Sequence, residues 1–444
     1  MNFESLTIKG LKDLYQKKII NFKELIELQI SYIDKTEKKI FSLVNFDEDI
    51  YLKKANELDT LKMSKEYLGN IPIGVKDLID IKGFKTEANS KSLAGNIAKN
   101  DADIVSKLKH AGAFVAMKTN THEYAYGAVT PPTRNPWDFS KIPGGSSGGS
   151  AAATSSGIVL ASLGSDTAGS IREPAALCSV VGFKPTYNWT SLTGVVPLAW
   201  SLDVVGPITK TITDCATIFK ALSTNYLNEE VTSSENKYKL GILSEYFSPM
   251  QQKISNAYLQ SIENLETCFE CERVSSWDVD EVISTIFVIL TSESAAFLNK
   301  EIEKNPNNFG GDVKEFVNMG NNFSSVDYIN AQRARKVITN RVDDLFNRFD
   351  FLIGPAQLIE APSADQEILN INGKDLPRDI NLIKPLVLSS LCGYPAISIP
   401  FVEMESKNFF SIQVIGKRNS DNELMDFSKL LEKEFNLQYV NPLN

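Results

Sequence analysis

Histidine is nearly absent from this 444-residue chain: there are two, His110 and His122, and any chemistry that needs an imidazole must use one of them. Cysteine is scarce too. Five cysteines in a chain of this size make no disulfide framework. Cys268 and Cys271 form a lone Cys-x-x-Cys without a second pair or a nearby His, so we read it as structural, with no metal and no cofactor expected. Long apolar runs are missing. Stretches such as Ile286 to Leu290 fall far short of the ~20 residues that cross a bilayer, so no membrane segment is expected. The start, Met1-Asn2-Phe3-Glu4-Ser5, lacks a basic stretch ahead of an apolar one, which makes the cytoplasm the expected compartment. Positive charge is outweighed, 46 Lys and Arg against 55 Asp and Glu. The resulting net charge of −9 and pI near 5.1 argue against a broad nucleic-acid-binding face, which needs clustered cations to displace counterions.

What is present is an ordinary globular composition, 43% hydrophobic and 23% charged, with no long repeat and no linker that splits the chain. Apolar residues recur near a 3.6 period through the first ~60 residues (Leu11, Leu14, Ile19; Leu25, Leu28, Tyr32), which predicts a helical N-terminal segment over 1–60. Ile71 to Val75 reads as a strand ending at Lys76, Ala102 to Ala111 as an amphipathic helix, and Phe114 to Met117 as a strand. Tyr238–Leu243, Phe349–Ile353, Ala396–Phe401 and Phe410–Ile415 read as further strands. Strands alternating with helices imply an α/β fold in which helices cover both faces of a sheet. The whole chain, 1–444, reads as one unit, with a helix-rich side lobe over about 215–345. Asn305 to Ser325, with Asn-Asn and Gly-Gly pairs, is expected to be a flexible loop.

One stretch carries chemistry. Pro143-Gly-Gly-Ser-Ser-Gly-Gly-Ser150 is followed by an alanine run and then by Gly164-Ser-Asp-Thr-Ala-Gly-Ser-Ile-Arg-Glu-Pro174. Small residues let the backbone approach closely and present consecutive N–H groups to an anion, and a helix starting near Ser150 adds its own free N–H groups. A phosphate-binding loop fails, because no lysine lies between Lys141 and Lys184. Gly144-x-Ser146-x-Gly148 matches a nucleophile elbow in form, but that fold takes its His after the nucleophile, and both histidines precede Ser146. The same shortage removes papain-like use of Cys178 or Cys215. Forcing His122, Asp166 and Ser170 into a chymotrypsin order requires an all-β barrel. Ser106-x-x-Lys109 lacks the partner boxes of penicillin-recognising enzymes, and His122-Glu123 lacks the second His of a zincin. A serine activated by something other than His remains, and lysine is the obvious base if burial lowers its pKa by several units. Lys76, closing an apolar strand, offers that setting.

Gly144-Gly-Ser-Ser-Gly-Gly-Ser150, Gly164 to Pro174, and Val181-Gly-Phe-Lys-Pro-Thr-Tyr187 closely resemble the signature of the amidase-signature family. Gly194-Val-Val-Pro-Leu-Ala-Trp-Ser-Leu-Asp203, Gly74-Val-Lys-Asp77 and Arg134-Asn-Pro-Trp137 extend the match over a signature core of about 70–215. The resemblance implies a single-domain α/β/α sandwich around a large mixed β-sheet. It also implies an amidase that acts through a Ser-Ser-Lys triad. Ser170 would form the acyl-enzyme, Ser146 would pass the proton, and Lys76 would act as the neutral base. The N–H groups of Thr167, Ala168, Gly169 and Ser170 would make the oxyanion hole. Ala168 departs from a common glycine, as does Asn188 after Lys-Pro-Thr-Tyr; Asn tolerates positive φ best after Gly.

The family includes free-standing amidases and the glutaminase component of the tRNA-dependent amidotransferase. Val196 to Asp203 and Glu123-Tyr-Ala-Tyr-Gly127 look like the former. Leu382 to Tyr394 lacks the acid with which the glutaminase holds glutamine's amino group, Asp379 being the nearest. Arg335 matches the glutaminase's carboxylate-binding arginine and is carried as a substrate-binding candidate. The expected ligand is a small-molecule amide. A homo-oligomer is compatible with the sequence, and amidotransferase partner subunits belong only to the glutaminase alternative. An inactive binding protein on the same fold is the third reading.

Overall fold

The computed structural model describes residues 3–59, 67–222, 238–243, 247, 249–274, 278–405 and 408–443. Eleven strands form one mixed sheet: β1 (Leu43–Val44), β2 (Pro72–Lys76), β3 (Phe114–Thr119), β4 (Ala161–Asp166), β5 (Val181–Lys184), β6 (Val204–Thr209), β7 (Lys239–Ile242), β8 (Glu270–Arg273), β9 (Phe351–Pro355) and, after a separate hairpin of β10 (Ile368–Ile371) and β11 (Lys374–Pro377), β12 (Ala396–Glu403) and β13 (Phe409–Gly416). Their spatial order is β1-β3-β2-β4-β6-β5-β12-β13-β9-β7-β8. β2 runs parallel to both β3 and β4, and β7 runs parallel to β8 and β9, while the centre of the sheet is antiparallel. This is the large mixed sheet of an α/β protein.

Because successive side chains alternate faces, each strand feeds two apolar layers. On β9, Phe351 and Ile353 enter one cluster with the helices Gln252–Glu266 and Asp421–Glu434, and Leu352 enters another with the helices Val279–Lys304 and Ser325–Leu345. On β2, Ile73 and Val75 pack with the N-terminal helices Ile8–Gln16 and Phe22–Ile40. The alternation therefore turns Lys76 to the other side. The long N-terminal helix begins on a capping box, with the Asn21 side chain accepting from Glu24 N–H and the Glu24 carboxylate accepting from Asn21 N–H.

The stretch from 215 to 345 supplies four of the long helices and also β7 and β8, which complete one edge of the sheet. Val279–Lys304 is long and apolar enough to cross a membrane by composition, yet Val282, Ile286, Ile289 and Leu298 lie in the protein's own core. The loop expected over Asn305 to Ser325 is not there. A short 3-10 turn, Pro306–Asn308, leads into a helix, Gly311–Asn321. Val313, Val317 and Gly320 are the buried positions of that helix, a helical spacing that outweighs its Gly and Asn content. A Cβ on Gly320 would stand 2.0 Å from the Thr291 carbonyl oxygen, so glycine is what lets this helix lie against Val279–Lys304.

Candidate active site

Three loops converge at the C-terminal ends of β2 and β4. Lys76 closes β2, where the parallel register sets Val75 beside Leu163 of β4. Its side chain has no solvent exposure, and its Nζ lies 2.7 Å from Ser146 Oγ, 2.9 Å from Ser147 Oγ and 2.9 Å from Ser165 Oγ. Burial pushes the ammonium down to about 7, against the opposing pull of Asp166 and Asp203. Three hydroxyls suit a neutral amine, which has two N–H donors and one lone pair. Ser147 donates its own proton to the Ser165 carbonyl (3.1 Å) and so receives one from Lys76; a neutral Lys76 keeps one further N–H and its lone pair for the Ser146 and Ser165 hydroxyls.

Ser146 follows a cis Gly145–Ser146 peptide, and its carbonyl accepts from His122 N–H. Glu173 holds the loop from the far side, accepting from Gly145 N–H at 2.7 Å. Ser147 precedes the buried helix Gly148–Ser155, the alanine-rich helix expected near Ser150. Ser170 sits in the turn between β4 and the helix Arg172–Leu177, 8% exposed, with its carbonyl accepting from Ser147 N–H at 3.3 Å.

That turn is organised by Asp166. The carboxylate accepts from Gly169 N–H (2.8 Å), Ile171 N–H (3.2 Å) and two nitrogens of Arg172 (2.9 and 3.0 Å). Burial works against its charge, but Arg172 prevails and holds the carboxyl below its usual value. Gly169 thereby departs from its expected part as an oxyanion donor, because its N–H is turned back onto Asp166. The N–H groups of Thr167, Ala168 and Ser170 meet no acceptor among the described residues. Gly169 adopts φ +130°, and a Cβ there would press on Leu386 at 2.8 Å. Thr167 is fixed by its hydroxyl, which donates to Asp203 at 2.6 Å; Leu198 and Ala199 N–H hold the other oxygen of Asp203. Asn188 does take positive φ, 66°, as its place after Lys-Pro-Thr-Tyr requires.

Ser170, Thr167 and Ala168 open onto a cavity of about 470 Å³, walled by the helices Val279–Lys304 and Gly311–Asn321 and the short helix Arg378–Ile383. A wider outer cavity, about 770 Å³, shares Tyr126, Gly127, Phe316, Met319 and Asp379 with it. Arg335 is not on either wall. It lines a third cavity with Lys336 and Arg418, and its guanidinium donates to the Ser201 carbonyl at 3.0 Å. Of the residues singled out from the sequence, Lys76, Ser146 and Ser170 thus meet in one region, and Arg335 stands apart from it. Ser147, Ser165, Glu173 and Asp203 escaped the sequence reading, since their parts depend on which strands and loops lie side by side.

The family model described as Amidase matches residues 24–425. The chain belongs to the amidase family. The glutamyl-tRNA(Gln) amidotransferase of Halothermothrix orenii has an A subunit that is 30% identical to this amidase, with 100% of each chain covered. Among solved structures, one described as an amidase aligns with a TM-score of 0.90 at 28% identity, over 97% of this chain and 100% of the other. A second, from a vestigial protein complex tied to the origins of an s-triazine catabolic enzyme, gives 0.88 at 27% identity over 98% and 99%. This amidase is accordingly an enzyme that hydrolyses amide bonds.

Proposed function

We propose that this chain is a free-standing amidase that converts a linear carboxamide to a carboxylate and ammonia or an amine, through an acyl-enzyme on Ser170. The observation that carries the reading is the buried Lys76 Nζ, 2.7 Å from Ser146 Oγ and near neutrality at about 7. Neutral Lys76 takes the Ser146 proton, Ser146 takes that of Ser170, and Ser170 Oγ bonds to the amide carbon. The N–H groups of Thr167, Ala168 and Ser170 receive the developing oxyanion, each donor worth ~3 kcal/mol. The proton held on Lys76 returns through Ser146 to the leaving nitrogen as the C–N bond breaks. Water, deprotonated by the same relay, then attacks the ester, and Ser170 leaves with its proton restored.

The amidotransferase-glutaminase reading is supported by the likeness to the Halothermothrix orenii protein. Against it stands the wall of the Ser170 cavity, whose described residues offer no cation for glutamine's carboxylate, Arg335 lying on a different cavity. No part of the proposed chemistry requires a partner chain. Labelling with a serine-directed fluorophosphonate tests the enzyme: an adduct on Ser170 is expected, and a folded chain that takes none sinks the proposal. Ammonia release from glutamine that depends on a co-purified partner and charged tRNA would favour the glutaminase instead.

A further inference from the structure

The walls of the Ser170 cavity carry more information than its position. Ile283, Ile286, Phe287 and Leu290 line it from one helix, Phe316 and Met319 from a second, and Ile380 and Ile383 from a third. Among the described residues no Lys, Arg or His lines it, and the single charged one there, Asp379, is already paired with Arg378 at 2.6 Å. A volume of about 470 Å³ is far more than an acetyl group fills and lies within the range of sites that enclose whole small molecules.

Resting on the reading of Ser170 as the nucleophile, we propose that the acyl group of the substrate is uncharged and apolar, an aliphatic chain or an aromatic ring seated between these three helices. The physical reason is desolvation. An apolar acyl group gains as each CH₂ leaves water, whereas glutamine would bring an ammonium and a carboxylate to a wall whose described residues include no cation and one carboxylate, that of Asp379, already paired with Arg378. The polar groups at the cavity's inner end are those of the reacting amide's own surroundings, Thr167 and Ser170. The adjoining wider cavity differs in being lined by charged residues, Arg134, Glu315, Glu367 and Arg378 among them.

The test is the rate at which Ser170 of the intact chain is labelled by alkyl fluorophosphonates from ethyl to octyl, whose chains stand in for the acyl group. The rate is expected to rise about fourfold per added methylene until the cavity fills. Ile283→Asp, a half-buried position, should compress the octyl-to-ethyl ratio at least about tenfold by setting a charge on the wall. In turnover, phenylacetamide and hexanamide should exceed acetamide, and glutamine should be the poorest. Labelling that is flat or falls with chain length, or glutamine as the best substrate, overturns the apolar class while leaving Ser170 as nucleophile. Absence of any Ser170 adduct in the folded chain overturns the catalytic reading itself.

Discussion

Glu173 accepts the N–H of Gly145 at 2.7 Å through one carboxyl oxygen, while its other oxygen meets no hydrogen-bond partner among the described residues. Burial pushes the carboxyl well above the usual carboxylate range, which favours its protonated form. A neutral acid can be replaced by its amide. Glu173→Gln keeps an acceptor for Gly145 and should label on Ser170 at the wild-type rate. Glu173→Ala leaves Gly145 N–H unpaired, a cost of about 1–3 kcal/mol. It also frees the residue before Ser146, and a displacement there lowers acylation by about 10²-fold. Equal losses in the two variants would show that the Gly145 bond is not what Glu173 contributes.

The same residue sets a pH dependence. Above the unfolded glutamate pKa of about 4.3, the unfolded chain releases a proton that folded Glu173 keeps. Its contribution to stability therefore falls as pH rises from there towards the raised folded value. Glu173→Gln removes that loss, so the variant gains on the wild type as pH goes from 5 to 8. Urea midpoints of the two chains across that range measure it, and a constant difference would show that Glu173 is ionised when folded.

Gly320→Ala should be among the costlier single-methyl additions. The new Cβ would meet the Thr291 carbonyl at 2.0 Å and Ala295 Cβ at 2.9 Å, so the helix Gly311–Asn321 must move off Val279–Lys304. Overpacking of this kind costs about 1–3 kcal/mol. Phe316 and Met319 ride on the moving helix, so KM for apolar amides should rise while the climb of kcat through about pH 7 stays in place. An unchanged urea midpoint would mean that the two helices are not packed as closely as their backbones indicate.

Much of this architecture was legible because it depends on local order. The strand ending at Lys76, the Ala102–Ala111 helix and the strand pairs near the C-terminus all follow from period and turn residues within a dozen positions. The Gly/Ser loops were legible as chemistry because few structural roles need so many small residues between apolar segments. Ser165 was not, since nothing near it in sequence says that β4 ends beside β2. Asp203 and Glu173 are ordinary acids until the loops they hold are folded over them. The cavity wall was out of reach for the same reason: Ile283, Phe316 and Ile380 are over a hundred residues from Ser170, on helices that period alone does not aim. At Asn305–Ser325, composition pointed to a loop, and the buried stripe Val313, Val317 and Gly320 prevailed.

Neither histidine takes part in the proposed reaction. His110 is exposed on its helix, and its ring contacts the Ser106 carbonyl. His122 pairs with Asp312 at 3.0 Å, tying the core to the start of the helix Gly311–Asn321. Replacing both, as His110→Ala with His122→Asn, should leave the acylation rate at saturating substrate close to wild type and act mainly through KM. Loss of Ser170 labelling in a folded double variant would restore imidazole to the mechanism and displace Lys76.

Lys76 gives the sharpest pH test. Acylation needs its neutral form, so the rate should climb with pH through about 7 and level off above it. Stability moves in the same direction. Between about 7 and the unfolded lysine value of about 10.4, the unfolded chain binds a proton that folded Lys76 has given up, so raising pH favours the folded state. Lys184 and Lys210, both pushed down to about 7 by burial, add to this slope, and Lys76→Ala should remove only its own share. The variant should stay folded by circular dichroism and lose about 10²–10⁴ in acylation. Lys76→Arg should lose as much, because a guanidinium holds its proton throughout this range. A Lys76→Ala enzyme with full activity, or a wild-type profile flat through pH 7, would remove Lys76 from the role of base.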